Sequence, residues 1–282
     1  SKPDHRPLKT YCEVMDEIKS QAEDNGFTNF HFSFSGGEPT AYKHFLKLVE
    51  HYADDPNPDY QSIHMTTNLS PGSKWWAEWL DVTECLQRRS ITASFHAEFA
   101  KEQEFSDKCL QLMKRGVLLT INQVMVPEFF DAYYDRCSRF AERGINVTLK
   151  PQSDPTASFI VGDYTQAQID KMQTGFPQHI DGEYQNQMAM QDDQGNWYDV
   201  DQAERLNAFD FNKFHGWQCS AGYQSCIVRE PGGEIKRSYS CHDEPLGTID
   251  NGFELFQKPM PCITSTCVSS ADSKIPKAKY ES

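Results

Sequence analysis

The chain has 282 residues, 38% of them apolar and 12% aromatic, with 27 Lys and Arg against 41 Asp and Glu for a net charge of −14. This is the length and composition of a folded chain of one large domain or two modest ones, not of a disordered one. The acidity argues against general nucleic-acid binding. Apolar runs such as Val117 to Ile121 fall far short of the roughly 20 residues of a membrane span, and with no secretory segment at its start the chain is expected to be cytoplasmic.

In chain order, the first predicted helix places Leu8, Cys12, Met15, Ile18 and Ala22 on one face, and Asn25-Gly26 stops it before an apolar strand, FTNFHFSF. Strand HMTTN, helix KWWAEWLDVTECL and strand SITASFH follow. A helix around Cys109, Leu112 and Met113 stops at Gly116 before VLLTINQVMV, and one with Tyr133, Cys137 and Phe140 stops at Gly144 before INVTLKP. Five strands alternating with helices predict a parallel α/β sheet, with a barrel or partial barrel as its closure.

From Ser153 to Lys213 the pattern loosens into a polar connecting region. Its Tyr184, Trp197, Tyr198 and Asn207, with Trp217 beyond it, are either ordinary packing residues or the lining of a polar pocket. After Phe214 short β-like pieces take over: CIVRE, the turn PGGE and IKRSYSC predict a hairpin. The last residues, from Ala271, look like a solvated tail. The expected division is therefore 1–152, 153–213 and 214–282.

Nine cysteines, an odd number in a chain without an export signal, favour metal or redox chemistry over a disulfide framework. Five fall between Cys219 and Cys267, and four of these run Cys219-x21-Cys241-x20-Cys262-x4-Cys267. Four soft thiolates gathered by a hairpin and a returning loop suit an iron–sulfur cluster or a structural zinc ion. Cys226 is the extra thiol, read as a hairpin core residue, with ligand or hydrogen-atom donor as the other readings.

The second informative string is Ser35-Gly36-Gly37-Glu38-Pro39-Thr40, at the end of the first strand. Adjacent glycines let the backbone approach a ligand closely, Glu38 adds an acceptor and Pro39 stiffens the exit. FSFSGGEPT resembles the GGEP motif of radical S-adenosylmethionine (SAM) enzymes, which in that family holds the methionine end of SAM. Thr67-Asn68 resembles the family's TN pair, Ser94 matches its strand-end serine, and His96, Asn122 and Lys150 occupy equivalent strand ends. The strings from Gly216 to Ile249 and from Met260 to Cys267 are similar to the shortened SPASM module, called twitch, that follows the barrel in many of these enzymes.

The resemblance implies an α/β fold built as a partial (β/α)6 TIM-like barrel, lacking its first strand and cluster loop, followed by a small cysteine-rich α+β module. It implies SAM at Gly36, Gly37, Glu38, Pro39, Thr67, Asn68, Ser94, His96, Asn122 and Lys150. It further implies an auxiliary [4Fe–4S] cluster at Cys219, Cys241, Cys262 and Cys267. A catalytic [4Fe–4S] cluster would take its ligands from a CxxxCxxC motif, which these 282 residues lack and which is expected upstream of Ser1. The implied activity is reductive cleavage of SAM and hydrogen abstraction from a small-molecule or peptide substrate, fed by an electron donor such as flavodoxin or ferredoxin. The alternative is a non-catalytic homologue or binding module with a four-cysteine zinc site; polar methyl transfer has no other support in the sequence.

Overall fold

The computed structural model describes residues 5–57, 60–153, 161–178, 188–191, 197–200, 213–242, 245–267 and 269–279. The chain divides into two compact units, Phe30–Asp181 and a second made of Ser1–Asn29 with Gly182–Ser282. The first helix, expected with the sheet, thus belongs to the unit that holds the cysteine-rich segment.

The unit Phe30–Asp181 is an α/β layer structure. Strands β1 (Phe30–Phe34), β2 (Gln61–Thr67), β3 (Arg88–Ser94), β4 (Leu118–Met125) and β5 (Asn146–Pro151) form one sheet in the order β1-β2-β3-β4-β5. Every pairing is parallel. Helices α2 (Phe45–Ala53), α3 (Ser73–Val82), α4 (Glu102–Lys114) and α5 (Phe130–Glu142) make the crossovers, and α6 (Gln166–Thr174) follows β5. Helix α2 was not singled out in the sequence, although Phe45, Leu48, Val49 and Tyr52 make a buried face at steps of three and four.

The strands alternate cleanly. Ile63, Met65, Ile91, Ala93, Leu119, Ile121 and Val147 lie on one face and are at most 1% exposed. Helix side chains pack against this face. The Tyr52 hydroxyl of α2 lies 3.1 Å from the Phe30 carbonyl and 3.0 Å from the Ser62 carbonyl. Phe95 meets Phe105 of α4 and Phe140 of α5 edge to face, at 5.0 and 5.5 Å. Each such fully buried side chain is worth about 1.5–3 kcal/mol. Helices α4 and α5 end as their sequences predict: Val117 N–H donates to the Leu112 carbonyl and Ile145 N–H to the Phe140 carbonyl, wrapping left-handed Gly116 and Gly144.

The opposite face is polar. On it His31 Nδ1 lies 2.8 Å from Ser62 Oγ, and His64 Nδ1 lies 2.9 Å from Ser90 Oγ. Desolvation, with Arg88 close by, pulls both imidazoles down to about 4. Both are therefore neutral in the fold at pH values where the unfolded chain is protonated. Stability from this source is complete above about pH 6.5 and is lost as pH falls toward 4. His31 keeps an exposed edge that water screens, so half-buried His64 carries the larger share. Between pH 7 and pH 4, urea unfolding should show the wild-type protein losing about 2 kcal/mol more than His64→Gln.

In the other unit, α1 (Leu8–Asp24) buries Val14, Met15 and Ala22. Strands β6 (Met188–Gln191) and β7 (Trp197–Val200) pair antiparallel. The predicted hairpin is present as β9 (Ile227–Arg229) and β10 (Glu234–Lys236), and it extends through β11 (Gly247–Thr248) to β12 (Gly252–Phe253). A second small sheet pairs β8 (Gln218–Cys219) with β13 (Met260–Pro261) and β14 (Lys277–Ala278). The C-terminal stretch is thus not a solvated tail. Asp272 and Ser273 are buried and Lys277 sits in register with Cys219, because the backbone of β8 needs a partner on each side. Arg6 fastens the N-terminal segment here, bonding both Asp250 oxygens and Glu230. Among the described residues, no helix is long and apolar enough to cross a membrane.

Candidate functional site

Parallel strands bring their C-terminal ends to one edge of the sheet, where such folds place ligands. Gly36 and Gly37 follow β1 there with φ of +84° and +63°, and a Cβ at either would meet nothing within 4 Å. The turn is held in a left-handed conformation facing open space, a shape that suits close approach by a ligand.

Glu38 explains how the turn is held. Its Oε1 accepts from Thr40 N–H at 3.1 Å, from Thr40 Oγ1 at 2.6 Å and from Thr67 Oγ1 at 2.8 Å. Its Oε2 accepts from Asn68 N–H at 2.7 Å. The carboxylate therefore ties the end of β1 to the end of β2, and Pro39 opens the short 3-10 turn Pro39–Ala41. Thr67 is 2% exposed and its hydroxyl lies beneath the loop, accepting also from Leu69 N–H at 3.2 Å. Thr67 and Glu38 thus both brace the glycine turn.

The remaining strand-end residues share the polar face. Ser94 pairs in register with Asn122, and Asn122 with Thr148; Lys150 is opposite Val124 on the next row. Ser94, Asn122 and Lys150 are half-buried and His96 is exposed. Phe99, on the loop after β3, is 90% exposed.

Three of the four C-terminal cysteines, Cys219, Cys262 and Cys267, are brought together in one buried cluster with Phe214 and Ala221, against which Trp217 packs; Trp217 is thus a packing residue. All four cysteines are free and buried. Burial pushes the Cys262 thiol up, and the charges of Cys219 and Cys241 push it the same way. Burial pushes Cys267 up to about 11, against the pull of Lys277. The Lys277 ammonium is aimed by the Asp272 and Ile275 carbonyls at 2.7 and 2.9 Å and lies 4.7 Å from the Phe214 ring centre. Ser240, beside Cys241, donates its N–H to Asp272 at 2.6 Å and accepts from Ser269 N–H, tying that loop to the one carrying Cys267. Cys226 is half-buried in the hairpin, its thiol pushed to about 12 by desolvation.

Arg237, which the sequence did not single out, braces this module. It is 4% exposed, donates Nε–H to the Ala221 carbonyl at 3.1 Å and Nη1–H to the Pro261 carbonyl at 3.4 Å, and stacks 5.3 Å from the Phe256 ring centre. Gly222 has to be glycine, since a Cβ there would stand 2.8 Å from Phe256 and 3.0 Å from Arg237.

In donor chemistry, four buried sulfurs without a disulfide suit a thiolate-held iron–sulfur group or zinc. Among the described residues, however, no three His, Cys, Asp or Glu side chains form a group able to hold a single metal ion. Of the connecting-region candidates, Tyr184 and Asn207 lie outside the described residues, and Trp197 and Tyr198 are placed only as strand backbone. Fold and geometry together define an α/β protein with an open, left-handed glycine turn at its strand ends and a second unit that carries the C-terminal cysteines. No protein-family model matches the chain, and no curated protein matches its sequence.

Proposed function

We propose that this chain is the partial-barrel and auxiliary-module portion of a radical SAM enzyme, acting in the cytoplasm on a small-molecule or peptide substrate and reduced by a flavodoxin- or ferredoxin-like donor. The observation that carries the reading is the Gly36-Gly37 turn, left-handed, open, and clamped by Glu38 to the next strand end. A reduced iron–sulfur cluster would supply the electron that cleaves SAM to methionine and a 5′-deoxyadenosyl radical, which then abstracts a hydrogen atom.

The residues of this chain bind and orient. The backbone of Gly36 and Gly37 receives the amino-acid end of SAM, while Ser94 and Asn122, adjacent on β3 and β4, offer hydroxyl and amide groups to the ribose. Lys150 is suited to a carboxylate. Cys219, Cys241, Cys262 and Cys267 would hold an auxiliary cluster, with the Lys277 ammonium offsetting thiolate charge. A four-cysteine zinc site is the second reading of the same donor set, and it is the less favoured one because among the described residues no three such side chains form a group that could hold a single ion. The full-length protein, reconstituted anaerobically with iron and sulfide, should form 5′-deoxyadenosine from SAM and dithionite. No 5′-deoxyadenosine, even uncoupled, would remove the radical reading, and zinc without iron or sulfide would favour the second one.

A further inference from the structure

Near the N-terminal ends of the strands, the polar face of the five-stranded sheet gathers titratable side chains that the proposed function leaves unused. His31, Ser62 and Arg88 form one row across β1, β2 and β3, and Ser33, His64 and Ser90 form the next. Hydrogen bonds fix how the two imidazoles face. Ser62 Oγ donates to the Phe30 carbonyl at 3.4 Å and Ser90 Oγ to the Ile63 carbonyl at 3.3 Å, so each hydroxyl is left to accept from the neighbouring Nδ1–H. Both Nε2 atoms therefore carry a lone pair, and among the described residues neither has a partner. Arg88 is half-buried, yet among the described residues its guanidinium makes no hydrogen bond and no ion pair, in a chain of net charge −14. The charges that act on the rings are that of Arg88 and, on His64, that of His31.

From this we infer that Arg88, His31 and His64 form a binding site for a phosphate group, either the free ion or one carried by a small molecule. The inference does not rest on the proposed function, since the site lies at the opposite end of the strands from the glycine turn. Three features select phosphate. A half-buried guanidinium without a partner calls for an anion, and its planar fork takes two oxygens of one group. Two bare Nε2 acceptors call for a donor. A phosphate monoester, which loses its second proton at about pH 6, brings an acidic proton to share with an imidazole, whereas a carboxylate brings none. The ring centres are 6.5 Å apart, a gap that one tetrahedral group spans with two of its oxygens, and the exposed Ser33, in register with His64, offers a hydroxyl to a further oxygen. A transition-metal ion on the two Nε2 atoms is the rival occupant, and the charge of Arg88 opposes it.

The test is calorimetric titration of the full chain, without SAM or reductant, using inorganic phosphate, glycerol phosphate, acetate and, separately, zinc ion. Phosphate is expected to bind, several-fold tighter at pH 6 than at pH 8 because the shared proton is then present, and acetate should not bind. Arg88→Gln should raise the dissociation constant about 10–100-fold, the value of charge-assisted bonds. The His31→Asn, His64→Gln double variant should lose the dependence on pH. Glycerol phosphate binding as tightly as the free ion identifies a carried phosphate as the occupant, and its exclusion identifies the free ion; either supports the site. Should the variants misfold, phosphate must still shift the imidazole resonances of His31 and His64 in the wild-type protein. Absence of phosphate binding, affinity unchanged by Arg88→Gln, acetate binding as tight as that of phosphate, or zinc binding lost in the histidine double variant would overturn the inference.

Discussion

Arg237→Met is expected to be the most damaging single substitution in the cysteine-rich unit, costing about 3–4 kcal/mol. The guanidinium is buried and spans two chain segments at once, Ala221 on one side and Met260-Pro261 on the other. These segments carry Cys219 and Cys262, so the same side chain fixes where two of the candidate ligands sit. Methionine fills much of the volume but donates nothing, leaving the Ala221 and Pro261 carbonyls without those bonds in a buried setting. Arg237→Lys keeps the charge and still recovers less than half, because one ammonium cannot reproduce a planar fork that reaches both sides. Urea unfolding reads the stability, and mass-spectrometric thiol labelling reads the site: Cys219 and Cys262 should label faster in Arg237→Met under native conditions. Labelling at the wild-type rate would show that Arg237 does not hold the cysteine loops.

The sheet was legible because period-two alternation and the helix-stopping glycines are local signals. Gly116 and Gly144 mark their helix ends by left-handed turns that glycine adopts without a steric penalty. The glycine turn was legible for the same reason, as a short string at a strand end. What Glu38 does was not, because its partners Thr67 and Asn68 are about thirty positions away and meet it only once β1 and β2 pair. The proposed phosphate site has the same character. FHFSF, QSIHM and RRSIT each show one of its members, but only the register sets His31, Ser62 and Arg88 in one row with His64 on the next. The C-terminal stretch misled through its composition. Its lysines look solvated, yet Lys277 is half-buried, with its ammonium held by backbone carbonyls next to the cysteines.

Substitutions at Glu38 separate a bracket from a direct ligand. Glu38→Ala should weaken SAM binding to the anaerobically reconstituted protein about 30–100-fold, equivalent to about 2–3 kcal/mol. It removes two hydrogen bonds that join the loop to the end of β2 at Thr67 and Asn68 and two that close the loop on Thr40, so the turn is no longer fixed for the ligand. The decisive comparison is Thr67→Val, which is nearly isosteric and sits at a position only 2% exposed. Its hydroxyl serves Glu38 and the Leu69 N–H, so the substitution alters the bracket without touching the ligand surface. A three- to tenfold loss of SAM affinity is expected, about 0.7–1.4 kcal/mol, the net value of one ordinary hydrogen bond because only part of the bracket is lost. If Glu38 met the SAM ammonium directly, Glu38→Ala would still be severe but Thr67→Val would bind SAM as well as the wild type. Equilibrium dialysis of SAM against the three proteins decides between these outcomes, with far-UV circular dichroism confirming that each is folded.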